Sequence, residues 1–83
     1  MDKADILTAL KSFIETEFPN QGFTLEESTH LLEDWFVDSL GIMETVIFME
    51  AEFGIDVSRA DINPTNFHNL TALTEFVAAR LPA

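Results

Sequence analysis

Ile6, Leu7, Leu10, Phe13 and Ile14 recur at helical spacing, with Asp2, Lys3, Lys11 and Glu15 on the other side. Asp2 is positioned to cap this first helix, and Phe18-Pro19 ends it, because the residue before proline avoids the α region. The pattern predicts a helix over 3–17. It returns at Ser39, where Leu40, Met43, Val46, Ile47 and Phe53 form a wide apolar face that Ile42 and Met49 extend. Glu44, Glu50 and Glu52 remain for the outer side, and Gly54 is a natural C-terminal stop. A second helix over about 39–53 is expected, apolar enough to lie centrally.

Between these helices, Asn20 to Val37 sustains no period. A featureless loop of that length is uncommon inside a small domain. Phe23, Leu25, Leu31, Leu32 and Phe36 can pin it to the core, and Thr24-Leu25-Glu26-Glu27 fits a capping box for one short helical turn. The segment therefore reads as an ordered loop lying across the bundle. Beyond Gly54, Ile55-Asp56-Val57 is a short extended link. Asn63-Pro64 reads as an N-cap followed by proline at the first helical position, giving a brief third helix through about His68. Asn69 caps a fourth, whose stripe is Leu70, Leu73, Phe76, Val77 and Leu81, with Arg80 at the negative end of the dipole and Pro82 as the stop. The expected fold class is all-α: one domain over 1–83, a four-helix bundle of three longer helices and a short third.

Charge narrows the function. Four Lys and Arg against 15 Asp and Glu give 4 − 15 = −11. Lys3, Lys11, Arg59 and Arg80 are scattered singly, so no phosphate-binding surface for nucleic acid is available, and an anionic membrane would repel the chain. Basic protein surfaces and cations are the encounters such charge steers. At 47% hydrophobic residues the chain is too apolar for an obligately disordered acidic tail. It has no cysteine, hence no disulfide, thiolate metal site or thiol nucleophile of its own. The first residues do not form a signal peptide, and no apolar run approaches a membrane span, so a soluble, cytoplasmic, monomeric protein is expected.

The inventory of catalytic motifs is poor. His30 and His68 are not at i, i+4 spacing, so no helical metal pair arises, and EF-hand spacing is absent. There is no glycine-rich phosphate loop and no Gly-x-Ser-x-Gly elbow. Carboxylates are plentiful, but acid–base work needs two facing across a cleft, which so short a bundle hardly provides. One position stands apart. Ser39, between Asp38 and Leu40, falls at the start of the central helix after the long loop. Unpaired N–H groups and the positive dipole end would stabilise a phosphate esterified there. The plainer account is that Asp38 or Ser39 is only an N-cap.

The surroundings weigh against the plainer account. Leu31-Leu32-Glu33-Asp34-Trp35-Phe36-Val37-Asp38-Ser39-Leu40-Gly41, then Glu44 and Met49-Glu50-Ala51-Glu52-Phe53-Gly54-Ile55-Asp56-Val57, resembles the acyl and peptidyl carrier proteins. Ile62-Asn63-Pro64-Thr65-Asn66-Phe67 running into Leu70-Thr71-Ala72-Leu73 is similar to that family's join between third and fourth helices. The likeness covers nearly the whole chain. It implies that Ser39 Oγ receives a covalent 4′-phosphopantetheine from coenzyme A, transferred by a separate Mg²⁺-dependent phosphopantetheinyl transferase. The arm's thiol would carry an acyl or aminoacyl group as a thioester between loading and elongating enzymes, which fits a chain without cysteine. The protein would then be no enzyme but a free-standing carrier, holding its cargo at high effective concentration.

The resemblance also gives some acids a role. Asp38, Glu44 and Glu50 match recognition carboxylates that meet basic docking patches and set encounter rate and orientation, with Met43 and Leu40 as apolar contacts beside the serine. Read without the family, the same acids are a solvated helix face and Leu40 is core. Trp35 stands where many relatives have Gly, as a buried ring or a partner contact. Gly41 replaces an acid common in fatty-acid carriers, and Ala51 breaks their run of glutamates. These departures point towards a specialised fatty acid, polyketide or nonribosomal peptide pathway. The competing reading is an acidic interaction subunit of carrier fold that is never modified; the intact Asp38-Ser39-Leu40 argues against it.

Fifteen acids on so short a chain repel one another. Added salt screens that repulsion and raises the melting temperature, with divalent cations more effective than monovalent. A melting curve insensitive to ionic strength contradicts this.

Overall fold

Side chains supplied by the sequence set the helix ends. Asp2 Oδ1 accepts the Asp5 N–H at 3.0 Å, Asn63 Oδ1 that of Asn66 at 2.9 Å, and Asn69 Oδ1 that of Ala72 at 2.8 Å. The computed structural model describes residues 2–18, 24–31 and 39–81. They form α1 (Lys3–Glu17), α2 (Ser39–Phe53), a 3₁₀ turn (Arg59–Asp61), α3 (Pro64–Phe67) and α4 (Leu70–Arg80), with no strand among the described residues. The expected helices over 3–17 and 39–53 match α1 and α2. The third helix ends at Phe67, a residue before the expected His68, which serves as its C-cap.

α1 packs chiefly on α4 and more lightly on α2, while the single turn of α3 leans on α4. Ile6, Leu10 and Ile14 from α1 meet Val46, Met49 and Phe53 from α2, Phe67 from α3, and Leu70, Leu73, Phe76 and Val77 from α4 in one core. Phe13 and Phe48 add an aromatic bridge between α1 and α2, their rings stacked at 4.1 Å and 15°. Phe18 meets Phe13, and Phe53 meets Phe48, edge-on at 6.0 Å in each case.

Part of the connection between α1 and α2 is described, and it is ordered as expected: Leu25 and Leu31 are buried. The Leu31 N–H donates to the His68 carbonyl at 2.9 Å, tying the segment to the join between α3 and α4. The predicted capped turn at Thr24 is not formed. Instead the Glu26 N–H donates to Thr29 Oγ1 at 2.9 Å and the Thr29 N–H returns to the Glu26 carbonyl at 3.2 Å, a tight turn closed from its C-terminal side. The anchors expected at Phe23, Leu32 and Phe36, and the helix stop at Pro82, lie outside the described residues.

The 3₁₀ turn carries a contact that sequence reasoning missed. Arg80 lies in the last turn of α4, where the helix dipole alone was expected to account for it. Its guanidinium reaches back to Asp61, donating from one nitrogen to Oδ2 at 3.0 Å and from the other to Oδ1 at 2.7 Å, and lies 4.9 Å from the Phe76 ring centre. Asp61 Oδ2 also accepts the Ser58 N–H at 2.9 Å. Lys3 and Glu75 form a second, well-exposed ion pair between α1 and α4 at 2.8 Å, worth little in water.

The Arg80 fork, helped by the Ser58 hydrogen bonds, holds the Asp61 carboxyl at about 2, below its ordinary 3.8. A carboxyl lowered on folding stabilises the fold above its unfolded pKa and loses that contribution as pH falls through the folded value. Denaturant midpoints of wild type and Asp61→Asn should differ most above about pH 4, the wild type being more stable, and converge as pH falls towards 2. A gap that is constant across this window contradicts the assignment.

Candidate functional site

α2 is apolar on more than one side, and the structure decides which side the core takes. Val46, Met49 and Phe53 are buried, together with Thr45, whose hydroxyl donates to the Gly41 carbonyl one turn back at 2.9 Å. Ile42 and Phe48 are half-buried. Leu40, Met43 and Ile47, predicted as part of the inward face, are instead 64%, 47% and 61% exposed. The correction has a geometric cause. Residues 42, 45, 46, 49 and 53 already fill the arc that faces α1 and α4, leaving 40, 43 and 47 on the opposite arc.

Ser39 is the first residue of α2. It stands at the N-terminal end of the described part of the helix. Leu40 and Met43 lie within a turn of it, and Glu44, exposed, follows on the same side of the helix. Leu40, Met43 and Glu44 thus share one exposed side of α2, next along the chain from Ser39. Asp38 and Trp35 lie outside the described residues.

Glu50 is different. Its side chain is exposed, but it is also a structural anchor: Oε2 accepts the Val57 N–H at 3.0 Å, seven residues ahead. Its backbone carbonyl accepts the Gly54 N–H at 3.0 Å. Gly54 itself turns the chain at φ +66°, the left-handed conformation that glycine adopts without a Cβ penalty. Glu50 therefore closes the C-terminal end of α2 twice, through main chain and side chain. It lies about three turns from Ser39, at the end of the helix remote from the serine.

His30 and His68, unrelated by spacing in the sequence, meet in space. Their ring centres are 4.2 Å apart at 72°, an edge-on-face pair at the join between α3 and α4. Among the described residues no group of three or more His, Asp or Glu is placed to hold a metal ion. No helix of the described residues is long and apolar enough to cross a membrane. A scan against family models finds no match for this chain, and comparison with curated proteins finds no relative.

The division of α2 into an inward and an outward face has a direct thermodynamic signature. Met49→Ala should cost about 2–5 kcal/mol of unfolding free energy, as truncations in a packed core do. Ile47→Ser, on the outward face, should stay within about 0.5 kcal/mol of wild type. Equal losses by chemical denaturation would put Ile47 in the core.

Proposed function

We propose that this chain is a carrier protein whose Ser39 hydroxyl bears 4′-phosphopantetheine. The observation that carries the reading is that Leu40 and Met43, apolar side chains, stand exposed within four residues of Ser39 on α2. Burying exposed apolar surface of this kind is a common source of partner affinity. The resemblance of residues 31–57 to acyl and peptidyl carriers supports the same assignment.

In this reading the serine oxygen forms a phosphodiester with the pantetheine phosphate of coenzyme A, and adenosine 3′,5′-bisphosphate leaves. A helix N-terminus at that position would favour the phosphate charge. The arm supplies the thiol that the chain lacks, and the acyl or aminoacyl thioester is handled by partner enzymes. Glu44, exposed and unpaired among the described residues, is the recognition carboxylate that the fold leaves free. Glu50 is exposed too, but reversing its charge also breaks the bond to Val57. It is therefore the poorer probe of recognition. The departures at Trp35, Gly41 and Ala51 favour a specialised pathway over general fatty acid synthesis.

Incubation with coenzyme A, Mg²⁺ and a promiscuous phosphopantetheinyl transferase should add one phosphopantetheine to the intact mass, and Ser39→Ala should abolish the addition. Glu44→Lys should slow loading while leaving the far-ultraviolet circular dichroism unchanged. If several competent transferases add no mass to the wild type, the carrier assignment falls and an unmodified acidic interaction subunit takes its place.

A further inference from the structure

His30 lies in the segment ahead of α2, and His68 is the C-cap of α3, thirty-eight residues further on. Their ring centres are nevertheless 4.2 Å apart, and the main chain holds them there. The Leu31 N–H, in the peptide directly after His30, donates to the carbonyl of His68 itself at 2.9 Å. Leu31 and Phe67, sequence neighbours of the two histidines, are both fully buried. A second tie lies close by. The Glu27 carbonyl accepts the Thr71 N–H at 3.4 Å and the Thr71 hydroxyl at 3.5 Å. The two histidines are thus brought together by bonds that need neither imidazole.

That arrangement bears on what the rings can bind. A flexible pair of histidines loses chain entropy on chelating an ion, whereas here folding has already ordered the backbone. Two imidazoles held cis on one ion, each at about 2.0–2.1 Å, have ring centres roughly 4.5–5 Å apart. The observed 4.2 Å falls just short of that range, and a turn of the exposed His68 ring makes up the difference. The ring planes cross at 72° and do not lie flat on one another, which two ligands on one ion also allow.

Among the described residues no third His, Asp or Glu joins the pair, so water would fill the remaining positions and the ion would exchange readily. Neutral imidazole suits zinc, copper and nickel, while magnesium and calcium prefer carboxylate and water oxygen. The net charge of −11 concentrates any divalent cation near the chain but does not make that distinction. We infer that His30 and His68 together chelate one divalent transition-metal ion of the zinc type, which clips the segment ahead of α2 to the join between α3 and α4. The clip closes the stretch of chain that includes Ser39 and all of α2, so a bound ion opposes the opening of that stretch. Nothing in this depends on Ser39 being modified.

Zinc sulfate titrated into the isotopically labelled full chain at neutral pH, and followed by NMR, reads the site. Magnesium sulfate at equal concentrations is the counterpart. Zinc should shift the His30 and His68 ring resonances together, saturating at one ion per chain below millimolar metal, and should raise Tm beyond the rise that magnesium gives. His30→Gln and His68→Gln should each weaken zinc binding at least about tenfold, no less than losing an outer-shell partner costs, and leave the magnesium response unchanged. The double variant should lose little more than either single one, because one remaining imidazole is no chelate. Equal responses to zinc and magnesium would reduce the effect to surface carboxylates and overturn the proposal. So would loss of binding in only one of the two variants, saturation only at millimolar zinc, or a zinc-dependent dimer by sedimentation, in which the ion joins two chains. His68 is exposed and its substitution keeps the main-chain bond to Leu31, so His68→Gln decides the matter even if His30→Gln fails to fold.

Discussion

The carboxylate of Asp61 joins parts of the chain that would otherwise have little reason to meet. It accepts the Ser58 N–H that starts the 3₁₀ turn and takes both arms of the Arg80 fork from the last turn of α4. Its backbone carbonyl accepts from the Asn66 side chain at 2.9 Å within the single turn of α3. A helix of four residues is too short to stand alone. α3 persists because Asn63 caps it, Asn66 ties it to Asp61 and Phe67 is sunk in the core. On α2 the buried arc of Thr45, Val46, Met49 and Phe53 leaves Leu40, Met43 and Ile47 on the outward arc by exclusion.

That exclusion links the fold to the proposed activity. A bundle of this length has only enough apolar partners to cover one arc of α2, so an apolar residue on the other arc remains in contact with water. Leu40, Met43 and Ile47 are in that position, immediately after Ser39 and beside Glu44. Under the proposed carrier function their exposure would serve docking. On the same proposal the acidic excess would bias which partners arrive and in what orientation.

Local signals in the sequence carried most of the helices. Asp2, Asn63-Pro64 and Asn69 cap within three residues of their own positions, and Gly54 needs no tertiary partner to reverse the chain, so these ends were legible. The facing of α2 was not, because apolar residues on both arcs leave periodicity without a preferred direction; only packing against α1 and α4 resolves it. Contacts between distant residues were equally hidden. Arg80 looked complete as a dipole partner, and nothing nearby in the sequence announced Asp61, nineteen residues away. The same holds for the meeting of His30 with His68 and for the Glu50–Val57 bond, which crosses a glycine turn. At Thr24 two local rules competed: the predicted cap used Thr24, while the structure uses the later Thr29 to close the turn. The candidate site was legible as a motif, Asp38-Ser39-Leu40, but the exposure of the apolar residues that follow it was not, because it depends on which arc of α2 the core takes.

The two faces of α2 also differ in how freely they can change over generations. Thr45, Val46, Met49 and Phe53 are bound by packing, so their substitution is filtered by folding before any partner is consulted. Leu40, Met43, Glu44 and Ile47 carry little of that burden and are freer to change. Glu50 and Gly54 mark where this freedom ends, since a change at either disturbs the turn that closes the helix. Variation in lineages built on this chain is therefore expected at the serine end of α2, while its glycine end stays conservative.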